Sequence, residues 1–195
     1  MAFQCEFEEK EYEAQLYAQL ETTTTVWSPG QCFEKYIGID RGSYINHPYI
    51  WDRLGIPFLP GVSLATCDFE YIWKLMGRKK NLPDFKLNLF VQAKRPIYNY
   101  KRIPKRYAGL NKPCYKFELL AHQQKALEML DDQLKTQALF VYASPVFHTD
   151  SELYSYASSK KILDNTYFST VSQLRGHKSC IYDKNHGIGL SEPEY

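Results

Sequence analysis

Two apolar runs, Phe85 to Ala93 and Ala138 to Ser144, stand out along the chain. Short runs of this kind, bounded by turn-forming residues, read as buried strands. Pro145 closes the second. Residues 6–21 carry Tyr12, Leu16 and Leu20 at helical spacing, with Tyr17 beside them and Glu13 on the face of Tyr17, which predicts an amphipathic helix. A longer helix is predicted from Tyr115 to Leu134, its apolar side made by Phe117, Leu120, His122, Ala126, Leu127, Leu130 and Leu134. A third helix runs from an N-capping Ser63 to Met76, where Gly77 stops it. Tyr36 to Ile39 reads as a short strand ending in Asp40. Asp150 or Ser151 caps a short helix carrying Leu153 and Tyr156. Residues 43–62 form an irregular Pro-, Gly- and aromatic-rich stretch, and residues 95–114 a loop or an extended edge. Tyr167 to Leu174 and Cys180 to Tyr182 read as short strands or edge segments, and Gly187 onward as a surface tail.

The first apolar run ends unusually. Val91 is followed by Gln92-Ala-Lys94-Arg95. Alternation along a strand points Gln92 and Lys94 to the same side. A lysine beside the last buried residues of a strand needs compensation, because an unpaired buried charge is costly. An anionic ligand is one way to supply it.

Charge changes the picture further. The net charge of the 195 residues is only +2. Between Arg78 and Lys116, however, twelve Lys and Arg face a single acid, Asp84, a local balance of +11. Tyr98, Tyr100, Tyr107 and Tyr115 interleave with them. Such a stretch is a candidate electrostatic footprint for nucleic acid, with base stacking on the tyrosines; a merely solvated loop is the competing reading. A hydrophobic fraction of 44% and an aromatic fraction of 15% belong to a folded chain, most simply one domain. The five cysteines are scattered and contain no CxxC, which argues against a disulfide framework and a zinc site and for reduced thiols in a cytoplasm. The acidic N-terminus lacks a signal-peptide core, and no apolar run is long enough to span a membrane, so no membrane partner is expected.

Asp40, Gln92 and Lys94 carry the chemistry these patterns suggest. A carboxylate and an amide oxygen are hard ligands of the type Mg²⁺ prefers. A lysine beside them can orient or deprotonate a water and stabilise charge building on a phosphate. Asp40 alone reads equally well as a turn-initiating residue. The set Asp40…Gln92-x-Lys94 resembles the PD-(D/E)XK nuclease superfamily, and Val91-Gln-Ala-Lys-Arg95 is similar to the Gln-x-Lys variant of Mrr-type restriction endonucleases.

The resemblance implies an α/β fold with a restriction-endonuclease-like αβββαβ core over about residues 6–145. A mixed central sheet would be flanked by helices. An insertion at about residues 43–84 would separate the Asp and Gln-x-Lys strands, and residues 146–195 would form an extension. It implies a Mg²⁺- or Mn²⁺-dependent DNA endonuclease, with a role in restriction or anti-phage defence. Asp40 and Gln92 would hold the metal, Lys94 would be the catalytic lysine, and Glu13 the first-helix acid, with Glu11 or Glu34 as alternatives. Gln123 or Gln124 would be the polar residue of the following helix. Arg95, Lys101, Arg102, Lys105 and Arg106, with these glutamines, would contact DNA. A homodimer, or pairing with a separate specificity or sensor subunit, would serve cutting of both strands.

Two rival classes use the same residues differently. In a metal-free nucleic-acid-binding module, Lys94, Arg95 and the basic loop grip phosphates while aromatics stack on bases. In a degenerate nuclease domain, the fold serves as an interaction partner. The five histidines have no ligand spacing, and Gly187-x-Gly189 lacks the helix and lysine of a phosphate loop.

Overall fold

The computed structural model describes residues 2–20, 25–99, 107 and 109–190. The chain is mixed α/β, built on a central sheet of five strands: β2 (Val26–Trp27), β3 (Arg41–Ser43), β6 (Leu89–Ala93), β9 (Leu139–Pro145) and β10 (Thr166–Thr170). They lie side by side in chain order. β6 and β9 are parallel and every other pairing is antiparallel. α1 (Glu9–Leu20) precedes β2, and α5 (Ala121–Leu134) leads into β9. Apart from interposed elements, the order is therefore helix, three strands, helix, strand.

The apolar runs become central strands because both their faces are covered. Leu89, Val91, Ala93, Leu139, Val141 and Ala143 face α1, meeting Tyr12, Leu16 and Leu20, with Trp51, Phe147 and Leu153 alongside. The alternate residues Phe90, Phe140 and Tyr142 face the other way, onto Phe33, Ile37, Leu127 and Leu130. Parallel register sets Phe90 beside Phe140, their rings stacked at 4.7 Å. Two-sided burial explains why these strands read as continuous apolar runs instead of alternating.

A second, wholly antiparallel sheet contains β1 (Ala2–Gln4), β7 (Ile97–Asn99), β8 (Cys114–Glu118), β11 (Ser179–Asp183) and β12 (Ile188–Leu190), in the order β1-β7-β8-β11-β12. It packs Tyr115, Phe117, Cys180 and Tyr182 against the Phe140–Tyr142 side of the central sheet. The Tyr182 hydroxyl reaches Ser144 Oγ at 2.6 Å and the Pro145 carbonyl at 2.8 Å. A small ladder joins β4 (Val62–Ser63) to β5 (Lys86–Leu87).

Several expectations are corrected. Tyr36 to Ile39 is not a strand: α2 (Gln31–Ile37) occupies that stretch and ends at Gly38 in left-handed conformation, φ 67°. Asp40 therefore stands before a strand, β3, not after one. Ser63 opens no long helix; it ends β4, a 3₁₀ turn follows, and α4 (Glu70–Met76) begins only after Asp68. Tyr115 to Glu118 is strand, not helix, so the long helix starts at Ala121. Its apparent apolar continuation came from Phe117, three residues before Leu120; Tyr115 and Phe117, two apart, are the inward residues of β8. Of residues 95–114, expected as a loop or an extended edge, Ile97–Asn99 is extended as β7, but inside its sheet, paired on both sides by β1 and β8. Thr149, not Asp150 or Ser151, caps α6 (Asp150–Ser158), in a reciprocal box with Glu152. No helix among the described residues is long and apolar enough to cross a membrane.

Candidate active site

Gly38 sets the geometry at the start of β3. Its positive φ turns the chain out of α2, and a Cβ there would lie 2.9 Å from Gln123 Cβ and 3.2 Å from Leu127 Cδ1. Two residues later Asp40 N donates to the Val91 carbonyl at 3.0 Å. The register of β3 and β6 pairs Arg41 with Val91, and Asp40, just before Arg41, bonds the same Val91 carbonyl. The Asp40 carboxylate accepts the Ala93 N–H at 2.6 Å, taking the place of the next ladder acceptor. Gly42, opposite Phe90, lets the two strands close, since a Cβ there would meet the Phe90 ring at 2.9 Å.

Gln92 is buried, and its Nε2 donates to Gln123 Oε1 at 2.8 Å. Its Oε1 is buried without a protein partner. Lys94, half-buried, is fixed at the main chain: its N–H donates to the Ala143 carbonyl at 2.8 Å, and its carbonyl accepts from Ser144 Oγ at 2.9 Å. The ammonium lies 5.9 Å from the Tyr142 ring centre. Burial lowers the Lys94 pKa; the nearby carboxylates of Glu9, Asp40, Glu34 and Glu13 act in the opposite sense.

Glu13 projects from α1 and is buried. Lys10 bonds its Oε2 at 2.8 Å, whereas its Oε1 is buried without a protein partner. Burial raises its pKa, against the pull of Lys10. For Asp40, burial, then the charge of Glu13, push the carboxyl up to about 8, against the hydrogen bond from Ala93. Both carboxyls therefore sit where negative charge is poorly compensated. The structure thus gathers Asp40, Gln92, Lys94 and Glu13 at one end of the central sheet. Glu34, on α2, acts on the same charges. Glu11 belongs elsewhere; it accepts from Glu8 N and the Tyr154 hydroxyl.

The expected nucleic-acid residues divide differently. The Arg95 guanidinium donates to the Cys5 carbonyl, and the Arg95 main-chain N–H donates to Glu9 Oε2 at 2.8 Å. Gln123 is turned to Gln92. Gln124 accepts from the Tyr142 hydroxyl and donates to Glu128 Oε1 at 2.8 Å and the Val171 carbonyl at 3.4 Å. Both glutamines are buried and spend polar groups on the protein itself. Lys101, Arg102, Lys105 and Arg106 lie outside the described residues.

Glu9 is the site residue that sequence reasoning missed. Of the neighbouring charges it acts most strongly on Lys94, and it ties down Arg95. The available signal was its spacing: Glu9 precedes Glu13 by four residues, one helical turn. The oxygen atoms at this end of the sheet that a hard cation could draw on are the Asp40 carboxylate, Glu13 Oε1 on α1 and, on the α5 side, Gln92 Oε1. No group of three or more His, Cys, Asp or Glu among the described residues is arranged to hold a metal ion; this donor set is two carboxylates completed by an amide. No protein-family model, curated protein or solved structure matches the chain.

Proposed function

We propose that this chain is a divalent-metal-dependent DNA endonuclease with a restriction-endonuclease-like core. The observation that carries the reading is the bonding of Asp40 to β6 on either side of Gln92, main chain to the Val91 carbonyl and carboxylate to the Ala93 N–H, with Lys94 next in the chain. The order helix, three strands, helix, strand around a mixed sheet supports it. So does the donor chemistry. Buried oxygen atoms of Glu13 and Gln92 lack protein partners, and the Asp40 and Glu13 carboxyls are held above their ordinary range. A hard cation would relieve both conditions.

Asp40, Glu13 and Gln92 would hold Mg²⁺ or Mn²⁺, which when bound neutralises a phosphate and acidifies a water. Lys94 would take the proton of the attacking water, helped by the burial that lowers its pKa. Glu9 and the Ser144–Lys94 bond would keep that lysine in place. The exposed basic corner Arg78-Lys79-Lys80 would meet phosphates on DNA.

A degenerate, non-cutting domain is a second reading, favoured by Gln92 itself: a neutral amide stands where a third acidic ligand would bind more strongly. Plasmid cleavage separates the two. The nuclease cuts with Mg²⁺ or Mn²⁺ and stops in chelator. Lys94→Ala and Asp40→Ala abolish cutting yet retain DNA binding in a mobility-shift assay. Wild-type-like cleavage by both variants, or no metal-dependent cleavage by the native chain, overturns the proposal.

A further inference from the structure

Tyr17 lies one turn beyond Glu13 on the same side of α1. Its ring is covered by the Arg41 guanidinium, 4.7 Å from the ring centre, and Arg41 directly follows Asp40. The residue is 3% exposed, and its hydroxyl is buried without a protein hydrogen-bond partner. Buried tyrosine hydroxyls normally find one. In this fold Tyr12 bonds Thr166, Tyr142 bonds Gln124 and Tyr182 bonds Ser144.

The charges acting most strongly on the Tyr17 hydroxyl are Asp40, then Glu13. Burial first, then these carboxylates, raise the phenol above its ordinary range. Two unsatisfied groups of α1 thus act together with Asp40: the Tyr17 hydroxyl and Glu13 Oε1. The second is an acceptor suited to a cation. The first is a hydroxyl, suited to the cation's water shell.

We propose that Tyr17 is a positioning residue of this site, its hydroxyl donating to a water bound to the cation that Asp40 and Glu13 hold. The inference rests on the metal site of the proposed function but assigns α1 a second member of it. Groups that orient ligands in this way commonly alter metal affinity by about 10–100-fold when removed. Tyr17→Phe deletes only the hydroxyl and keeps the ring under Arg41.

The test is calorimetric titration of the intact chain and of Tyr17→Phe with Mn²⁺, paired with thermal unfolding in chelator and plasmid cleavage across Mn²⁺ concentrations. Tyr17→Phe binds Mn²⁺ about 10-fold more weakly. Its half-saturating Mn²⁺ for cleavage rises in parallel, and the rate recovers at saturating Mn²⁺. Its melting temperature in chelator is unchanged or higher, since a buried hydroxyl without a partner has been removed. Equal Mn²⁺ affinity in the two proteins, including no binding by either, overturns the inference; so does a lower melting temperature with unaltered affinity, which would mark the hydroxyl as structural. If Tyr17→Phe weakens Mn²⁺ binding but the native chain cuts no DNA, the inference stands and the nuclease reading falls.

Discussion

The side-chain amide of Gln92 donates to Oε1 of Gln123 across 2.8 Å, joining the end of β6 to the first turn of α5. The bond consumes one amide proton and leaves Gln92 Oε1 unengaged. Gln123 thereby selects which end of the Gln92 amide is left without a partner. If that oxygen is a ligand, Gln92→Glu supplies a charged one of nearly the same shape, and Gln123 can rotate to donate its own amide. Gln92→Glu should bind Mn²⁺ more tightly than the native chain in calorimetry and cut plasmid at lower Mn²⁺. Weaker binding would remove Gln92 from the ligand set.

Gly38 is the hinge on which Asp40 turns. At φ 67°, with Gln123 Cβ 2.9 Å from where a Cβ would stand, alanine brings both backbone strain and a clash. Gly38→Ala should cost more than about 1 kcal/mol of stability, the upper range gained where alanine fits without strain. Urea unfolding measures this. Cleavage should fall more than the fraction unfolded accounts for, because Asp40 moves relative to Gln92. An unfolding midpoint equal to that of the native chain would contradict this account.

Arg95 is expected to behave as a structural residue. Its guanidinium is bonded to the Cys5 carbonyl and its main-chain N–H to Glu9. Arg95→Ala should lower stability by about 1.5–3 kcal/mol, the range for hydrogen bonds to charged groups. The salt dependence of DNA binding should change little. A flatter salt slope with unchanged stability would return Arg95 to the phosphate-contacting set.

The exposed corner Arg78-Lys79-Lys80 is expected to do the opposite. It follows α4, whose Trp73 stacks on Phe33 of α2 at 5.4 Å. α2 in turn leads through Gly38 to Asp40. Replacing all three by alanine should leave the melting temperature unchanged. It should reduce the slope of log affinity against log salt by about 0.9 for each lost phosphate contact. An unchanged slope would mean that the corner is only solvated.

Acid stability should depend on two carboxylates remote from the cluster. Burial alone would raise the Glu152 pKa, but hydrogen bonds from His148 N, Thr149 N and Thr149 Oγ1 outweigh it and hold it below the ordinary value of 4.5. Burial likewise opposes Asp183, which the N–H groups of Asn111, Gly187 and Asn185 hold below 3.8. In this window the unfolded chain binds more protons, so stability is fully present above the ordinary values and is lost as pH falls through the lowered ones. Melting temperature should drop below about pH 4.5. The double variant Glu152→Gln, Asp183→Asn should start lower and show a flatter acid limb.

The sequence by itself determined the two central strands, because residues 89–91 and 139–143 are covered on both faces and are apolar throughout. It also determined α1, whose Tyr12, Leu16 and Leu20 meet one face of the sheet, and the side-by-side exit of Gln92 and Lys94. Only the tertiary structure decided where Asp40 stands. Tyr36 to Ile39 is apolar enough for a strand, but α2 forms because Phe33 and Ile37, one turn apart, both find the α4–α5 side of the core. Asp40 then opens β3, and antiparallel pairing brings the start of that strand to the end of β6. No local pattern encodes that pairing, since it joins residues as far apart in the chain as Arg41 and Val91. The same holds for Glu9 and Tyr17. Helical spacing puts them in line with Glu13, but only the packing of α1 beside β3 and β6 turns that line toward Asp40 and Lys94.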